Sequence, residues 1–222
     1  MTAPVNTVAL LHGVSRGQIS MRGMEHGLAQ KGYNVLNIGY PSLKKPIEEL
    51  IDDVHADITR RRGDTKGTLH FVGHSLGGLV ARAYLHKFRP ENLGRVVMLG
   101  TPNQGSEIAD LLVNFLPYKL FYGPVGQQLV TDQSRFKAMF GSVDYDLGII
   151  AGDRYLDPVA SWFMIPGKND GRVSVASTKL EGMKDHITLH VTHTFMPSKK
   201  EVIHQTAHFL EHGNFSKPQR NP

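Results

Sequence analysis

Short apolar runs that are rich in β-branched residues alternate with helix-like segments along most of this 222-residue chain. Such runs, when glycine or proline bounds them, are typical of strands that are covered on both faces. The predicted strands are residues 7–11, 35–38, 69–72, 96–99, 147–151, 162–165 and 187–191. The predicted helices are residues 21–31, 46–61, 76–88 and 201–212. This alternation predicts an α/β fold, with a mostly parallel central sheet that is flanked by helices.

The length of the chain and the spacing of its elements predict the domain organisation. A chain of 222 residues fits one compact domain with one sizeable core. We expect residues 1–213 to form that domain and the polar residues 214–222 to form a frayed tail. Residues 104–140 are less regular and contain an apolar, aromatic cluster that Pro117 interrupts. We expect the cap over the sheet to be small or absent, and we interpret this stretch as the segment that would form it.

The composition excludes several kinds of protein. Apolar residues make up 40% of the chain and charged residues 20%, as in ordinary soluble globular proteins. The absence of cysteine excludes a disulfide, a thiol nucleophile and a thiolate metal site. No apolar run approaches the ~20 residues that a membrane span needs, and no signal-peptide pattern opens the sequence. We therefore expect a soluble, cytoplasmic protein, although a mature exported form would show the same features.

The charge distribution bears on the partners. The formal net charge is +5, but the basic residues form short clusters that are scattered along the chain. A nucleic-acid-binding protein more often gathers its charge on one patch with interleaved aromatic residues. We therefore expect no nucleic-acid partner and at most a peripheral contact with a membrane or lipid surface. The oligomeric state stays open.

Residues 73–77, of sequence Gly-His-Ser-Leu-Gly, match the pattern G-x-S-x-G. The pattern alone is a weak signal, but here a predicted strand precedes it directly and a predicted helix follows it. A sharp turn from strand to helix lifts the central serine above the sheet, and the small residues on both sides allow the tight bend. The motif therefore predicts Ser75 as a nucleophile, with the helix N-terminus facing developing negative charge.

A serine nucleophile of this kind needs two N–H donors for the tetrahedral oxyanion. The first predicted donor is the backbone N–H of Leu76, the residue after the nucleophile. The second is expected from the loop after the first strand, where Gly13 allows a close approach of the backbone. We assign the N–H of Val14, with Ser15 as the alternative, and we place His12 of the same loop among the substrate-binding candidates.

The nucleophile also needs an imidazole that accepts its proton and a carboxylate that orients this imidazole. Asp170 is the predicted acid, because it lies among turn-forming residues after a predicted strand. The alternatives are Asp153 and Asp157. His193 is the predicted base, because it follows the last predicted strand on the loop before the last helix. Its alternatives, His186 and His190, lie before and inside that strand.

Five segments, which keep their order along nearly the whole chain, carry a family resemblance. They are residues 10–13 (Leu-Leu-His-Gly), 73–78 (Gly-His-Ser-Leu-Gly-Gly), 100–106 (Gly-Thr-Pro-Asn-Gln-Gly-Ser), 169–173 (Asn-Asp-Gly-Arg-Val) and 193–194 (His-Thr). They resemble the lipase and esterase branch of the α/β-hydrolase superfamily, and especially small bacterial lipase-like hydrolases. The resemblance implies the α/β-hydrolase fold, a carboxylic ester substrate that is either a small molecule or a lipid, and no cofactor.

Three functions are compatible with these residues. The leading hypothesis is a serine esterase or lipase that works through an acyl-enzyme on Ser75. The second is an amide or thioester hydrolase, or an acyltransferase, with the same triad. The third is a binding protein that has kept the fold and lost catalysis, which the complete set of Ser75, Asp170 and His193 disfavours.

Two further clusters complete the predictions. Leu116 and Phe121, in the apolar stretch of the predicted cap, are candidates for one wall of an acyl site, with core packing as the alternative. His204, His208 and His212 recur every four residues on the last predicted helix, a spacing that can bind a metal. We interpret these histidines as a solvated polar edge and expect no metal requirement.

Overall fold

The structure, a computed structural model, describes residues 5–63, 65–104, 138–155 and 167–216. Its strands are β1 (Thr7–Leu11), β2 (Asn34–Ile38), β3 (Leu69–His74), β4 (Leu93–Leu99), β5 (Leu147–Gly152) and β6 (Asp185–Leu189). Its helices are α1 (Arg22–Ala29), α2 (Ile47–Arg62), α3 (Leu76–Phe88), α4 (Val175–Thr178) and α5 (Lys200–His212), with 3-10 helices at Gln18–Met21 and His193–Ser198. Strands and helices alternate, which confirms the predicted fold class.

The six described strands form one sheet in the order β2-β1-β3-β4-β5-β6, and all five neighbouring pairs are parallel. In a parallel sheet the carboxyl ends of all strands lie at one edge. The loops that follow β1, β3, β4, β5 and β6 therefore meet at that edge. Ligands of open α/β sheets bind outside the carboxyl ends of the strands, so this is the edge where a site is expected.

Both faces of the sheet are covered, which explains why its strands are continuous apolar runs. On β1, Ala9 and Leu11 belong to the core on the face of α2 and α3, whereas Val8 and Leu10 belong to the core on the face of α1 and α5. Successive side chains of a strand point to opposite faces, so a strand between two helical layers needs apolar residues at every position.

Helix α2 shows how the sequence pattern sets the packing. Its predicted apolar stripe is fully buried against the sheet and consists of Ile47, Leu50, Ile51, Val54 and Ile58. Pro46 precedes the helix as its N-cap, with φ −65° and ψ 162°, so the fixed proline φ defines the start of the helix. The stripe prediction is confirmed, and the helix begins one residue later than predicted.

The predicted last strand is shifted by two residues. Strand β6 is Asp185–Leu189, and its register pairs Gly148 with Asp185 and Gly152 with Leu189. The chain turns out of the sheet at Val191, whose N–H donates to the carbonyl of Leu189. Val191 is apolar because it is buried in the core, not because it continues the strand. The predicted strand 162–165 lies outside the described residues.

The predicted start of the frayed tail, residue 214, lies too early in the chain. Phe215 is buried, its ring lies 4.9 Å from that of Phe209, and its N–H donates to Asp185. The side chain of Gln205 exchanges two hydrogen bonds with the backbone of Ser216. The chain is therefore packed to residue 216, because an apolar side chain at 215 covers the end of α5; residues 217–222 lie outside the described part. No helix of the described segments has the length and apolar character needed to cross a membrane.

Candidate active site

Ser75 occupies a sharp turn between β3 and α3. Its φ of 55° and ψ of −121° are strained for a residue with a side chain. Two hydrogen bonds hold this conformation: the Ser75 N–H donates to the Leu99 carbonyl (2.9 Å), and the Thr101 hydroxyl donates to the Ser75 carbonyl (3.1 Å). The end of β4 thus fixes a backbone that the turn alone would not keep, and the serine lies above the carboxyl edge of the sheet.

The glycines of the motif are required by close backbone contacts. A Cβ atom on Gly73 would lie 2.5 Å from the Gly77 carbonyl oxygen, inside the turn. A Cβ atom on Gly77 would lie 2.1 Å from the carbonyl oxygen of Leu11. The missing side chain of Gly73 therefore allows the tight bend. The missing side chain of Gly77 allows the start of α3 to pack against the end of β1. The spacing of the motif is therefore set by sterics around the serine.

His193 and Asp170 form a buried pair. The Nδ1 of His193 lies 2.7 Å from the Oδ2 of Asp170, and the two side chains are only 8% and 1% exposed. A carboxylate accepts, so Nδ1 carries the proton and the other ring nitrogen, Nε2, keeps its lone pair. The N–H groups of Arg172 (3.0 Å) and Val173 (2.8 Å) donate to the second carboxylate oxygen, Oδ1. The loop after β5 therefore holds a fixed carboxylate, which orients the His193 imidazole so that its Nε2 can accept a proton.

The loops after β5 and β6 bring this pair next to the nucleophile turn, which follows β3. The ring centroid of His74, the residue before Ser75, lies 4.8 Å from that of His193. Among the described residues, however, the Ser75 hydroxyl makes no hydrogen bond, so the link from Ser75 to His193 is not formed. Without substrate, catalytic hydrogen bonds are often long and close only when the substrate binds. The structure thus joins two of the three predicted residues directly and places the third beside them.

The predicted oxyanion donors flank the serine. Leu76 is the first residue of α3, so its N–H has no partner inside the helix. A Cβ atom on Gly13 would lie 3.4 Å from the Cβ of Ser75, which places the loop after β1 against the nucleophile. The loop turns through Ser15, with φ 54°, and the N–H of Val14 donates no hydrogen bond within the described segments. Two N–H groups near the serine are therefore available for an anion.

His12 lies behind this loop. Its ring stacks on Tyr40 at 4.1 Å, Nδ1 lies 2.9 Å from the Gly13 carbonyl, and Nε2 accepts from the Tyr40 N–H at 3.4 Å. Burial lowers the pKa of His12, which favours the neutral ring that these contacts need. Both ring nitrogens are used inside the protein, so the structure gives His12 a supporting place behind the loop. Its role as a substrate contact stays a prediction.

The alternative acids and bases lie elsewhere. Asp153 pairs with His190 at 3.0 Å on the surface, where the His190 side chain is 74% exposed. The Nε2 of His186 lies 3.0 Å from the hydroxyl of Thr178. Among the described residues, the side-chain partners of these groups are neither Ser75, Asp170 nor His193. Asp157, Leu116 and Phe121, together with nearly all of the predicted cap, lie outside the described residues.

Two residues of the site were not given a role from the sequence. Gly100 follows β4 with φ 53°, and a Cβ atom on it would lie 2.9 Å from Asp170 Oδ2 and 3.1 Å from His193 Nδ1. His74 contacts His193 through both its ring and a hydrogen bond. In the sequence, Gly100 stands out only as a glycine directly after a predicted strand, and His74 only as a polar residue inside the nucleophile motif. Neither feature indicates that the residue contacts His193, which is distant in the chain.

The described residues include four large apolar side chains that are exposed: Val5, Ile19, Leu43 and Phe195. Three of these, Ile19, Leu43 and Phe195, follow β1, β2 and β6 and therefore lie toward the carboxyl edge of the sheet. The 3-10 helices that carry Ile19 and Phe195 contact each other. We call these three residues the apolar rim. It lies at the same edge as the predicted catalytic groups, where an apolar substrate could be covered.

The His204, His208 and His212 rings follow one another along α5, with centroid distances of 6.4 Å and 4.3 Å. The Nδ1 of His208 lies 2.8 Å from the Asn214 carbonyl. In the part of the chain that the structure describes, no group of three or more histidines and acids is arranged to hold a metal ion.

A family model and several solved structures match this chain. The model of the palmitoyl protein thioesterase family matches residues 7–144. The mature form of a Bacillus licheniformis lipase is 18% identical, with a TM-score of 0.71 over 89% of this chain and 88% of that one. An esterase of Pyrococcus furiosus is 17% identical, with a TM-score of 0.64 over 93% and 81%. A putative lipase of Acinetobacter baumannii is 17% identical, with a TM-score of 0.63 over 96% and 85%. At this identity the structural similarity establishes the fold, which is that of α/β-hydrolases.

Proposed function

Because the chain belongs to the palmitoyl protein thioesterase family, a family of hydrolases, we propose that it is a serine hydrolase that cleaves carboxylic esters through an acyl-enzyme on Ser75. The observation that carries the proposal is the buried hydrogen bond between His193 and Asp170 beside the strained Ser75 turn. It leaves the unprotonated Nε2 of His193 as a base at the edge where a nucleophile and two N–H donors also lie.

The proposed reaction has two halves, acylation of Ser75 and hydrolysis of the acyl-enzyme. His193 Nε2 takes the proton of Ser75 Oγ as this oxygen attacks the ester carbonyl carbon. The N–H groups of Val14 and Leu76 donate to the oxyanion of the tetrahedral intermediate. His193 then gives the proton to the departing alcohol, and an acyl ester on Ser75 remains. Water, activated by the same imidazole, attacks this ester and releases the acid and the free serine.

Asp170 acts on His193 throughout the cycle. Its Oδ2 fixes the Nδ1–H tautomer, so Nε2 is always the nitrogen that meets the serine. When the imidazole becomes charged, the adjacent carboxylate stabilises the charge. The two N–H groups on Oδ1 hold the carboxylate in place, which keeps the orientation of the ring independent of the substrate.

Thioester hydrolysis is a second candidate, and the family match favours it. The same nucleophile, base and oxyanion donors would act on a thioester carbonyl. A thiolate leaves more easily than an alkoxide, so His193 would contribute less to that step. The apolar rim is compatible with either substrate, since the acyl chain is common to both.

A matched pair of substrates with one acyl chain, an oxygen ester and a thioester, tests the proposal. We expect hydrolysis of the oxygen ester by the native protein and its loss in Ser75→Ala, with a fluorophosphonate adding mass only to native Ser75. Faster turnover of the thioester would select the second candidate. A native protein that hydrolyses neither substrate and takes no label would instead be a binding protein, and the proposal would be wrong.

A further inference from the structure

His74, the residue directly before Ser75, is buried, with only 2% of its surface exposed. Its Nε2 lies 3.0 Å from the backbone carbonyl oxygen of His193. A carbonyl can only accept, so Nε2 carries the proton and donates it. The imidazole therefore has one defined neutral tautomer, and its donor binds the main chain of the predicted catalytic base.

The other ring nitrogen of His74 faces the oxyanion loop. Nδ1 is buried and has no hydrogen-bond partner among the described residues. A Cβ atom on Gly13 would lie 3.3 Å from this nitrogen. Because glycine has no Cβ, the His74 ring has room beside the loop. A buried acceptor without a partner destabilises the fold, because it has lost its hydrogen bond to water and gained none in return. A side chain that served packing alone would avoid this cost, so the Nε2–H donor gives a reason for a histidine here.

The surroundings of the ring keep it uncharged. Burial lowers the pKa of His74 well below its ordinary value, and the nearby His193, Arg16 and Arg172 lower it further when they are positively charged. His74 therefore stays neutral while His193 gains and loses a proton. A charged ring at 4.8 Å would oppose the imidazolium that forms in each half-reaction.

We propose that His74 is a positioning residue for His193. It lies next to Ser75 in the chain and bonds to the backbone of His193, so it sets the distance between the nucleophile and its base. The rings of His74 and His193 are also in contact, which restricts the tilt of the catalytic imidazole. This role rests on the proposed function, because it assigns His74 to the same reaction.

Three substitutions separate the donor from the rest of the ring. In His74→Gln, the amide nitrogen reaches about the position of Nε2 and keeps a donor for the His193 carbonyl. In His74→Asn, the amide reaches only the position of Nδ1, so the donor is lost. His74→Leu removes both polar atoms and keeps an apolar volume in the core. The Gln and Asn variants share one functional group and differ in reach, so each is the control for the other.

We expect kcat for an ester to fall roughly 10- to 100-fold in His74→Asn and His74→Leu, because a small misplacement of a catalytic group costs this much. KM should stay within about twofold of the native value, since the substrate contacts do not change. His74→Gln should recover most of kcat. All rates are expressed per folded molecule, from the circular dichroism of each preparation.

The proton between His193 and Asp170 gives a second readout by NMR. Its far-downfield resonance should shift or broaden in His74→Asn and return in His74→Gln. Equal kcat in the Gln and Asn variants, or an unchanged resonance in both, would show that His74 is only a packing residue. If His74→Leu does not fold, the Gln and Asn pair decides. If the native protein cleaves no ester, the proposed function fails, and the resonance still tests the positioning role.

Discussion

Asp170 binds His193 at two points. Its Oδ2 accepts from His193 Nδ1 at 2.7 Å, and its backbone carbonyl accepts from the His193 N–H at 2.9 Å. The backbone bond places the residue, and the carboxylate bond turns its ring. The backbone bond survives any substitution at position 170 that keeps the loop. The effect of the carboxylate on the ring can therefore be measured separately from the effect of the backbone bond.

Replacing Asp170 with Asn should lower kcat by about 10³- to 10⁴-fold through the wrong tautomer of His193, as in serine proteases. The N–H groups of Arg172 and Val173 require an acceptor at Oδ1, so the amide oxygen takes that position. The amide NH₂ then faces His193 Nδ1, which becomes the acceptor. Nε2 carries the proton and can no longer take that of Ser75. Steady-state hydrolysis of a p-nitrophenyl ester measures the loss.

Asp153→Asn is the matched control for this change, because Asp153 also pairs with a histidine at the end of a neighbouring strand. Its partner His190 is mostly exposed and lies outside the predicted triad. We expect activity within about twofold of native, as for a surface pair that contributes little. A large loss of activity in Asp153→Asn, together with near-native activity in Asp170→Asn, would mean that Asp153 and not Asp170 is the acid of the triad.

Gly100→Ala should damage both stability and activity. The φ of 53° disfavours any side chain, and the new methyl group would lie 2.9 Å from Asp170 Oδ2 and 3.1 Å from His193 Nδ1. Gly32 has φ 87° and open space around its Cβ position, so Gly32→Ala carries the backbone cost alone. We expect both variants to lose about 1 kcal/mol or more in urea denaturation. Only Gly100→Ala should also lose ester hydrolysis, and equal activity of the two variants would contradict this.

The sequence predicted those parts of the fold that depend on local pattern. Strand β1 and helix α3 have the predicted bounds, because a two-sided apolar run and a glycine-flanked turn are local signals. The shift of β6 and the packing of Phe215 could not be predicted, since both depend on contacts with residues far away in the chain.

The candidate site divides in the same way. The places of Ser75 and His193 after strands could be predicted from the sequence, because parallel strands bring their carboxyl ends to one edge, whereas the strand predicted before Asp170 lies outside the described residues. The contact of Gly100 with the acid and base, and the bond from His74 to the His193 carbonyl, depend on the register of β3, β4 and the loop after β6. No spacing within the sequence encodes these distances.

The apolar rim should affect substrates with long acyl chains more than substrates with short ones. Replacing Phe195, which is 50% exposed, with Ser removes apolar surface near the carboxyl edge, where the acyl chain would leave the site. We expect KM for a long-chain ester to rise about threefold or more, as the transfer of apolar area predicts, with little change for an acetate. Val5→Ser is the control, because Val5 is similarly exposed (52%) and lies before β1, at the opposite edge. Equal effects on both esters would exclude contact between the rim and the acyl chain.

Stability should fall when the pH is lowered, through the buried histidines. Burial and the charge of Arg95 lower the pKa of His70 from 6.5 to about 4 in the folded protein. Charging would also place a proton on Nδ1, which accepts from the Arg95 N–H at 2.9 Å. Between pH 6.5 and 4 the unfolded chain therefore binds more protons at this residue than the folded chain. The stabilisation is complete above pH 6.5, and about 3 kcal/mol is lost as the pH falls to 4.

His70→Asn isolates this contribution, because the amide oxygen can replace Nδ1 as the acceptor for Arg95 and does not titrate. The free energy of unfolding in urea, measured at pH 7 and pH 5, should differ less in His70→Asn than in the native protein. The remaining difference comes from groups such as His12 and His74, whose pKa values burial also lowers. A native pH difference that persists unchanged in His70→Asn would mean that His70 does not resist protonation in the fold.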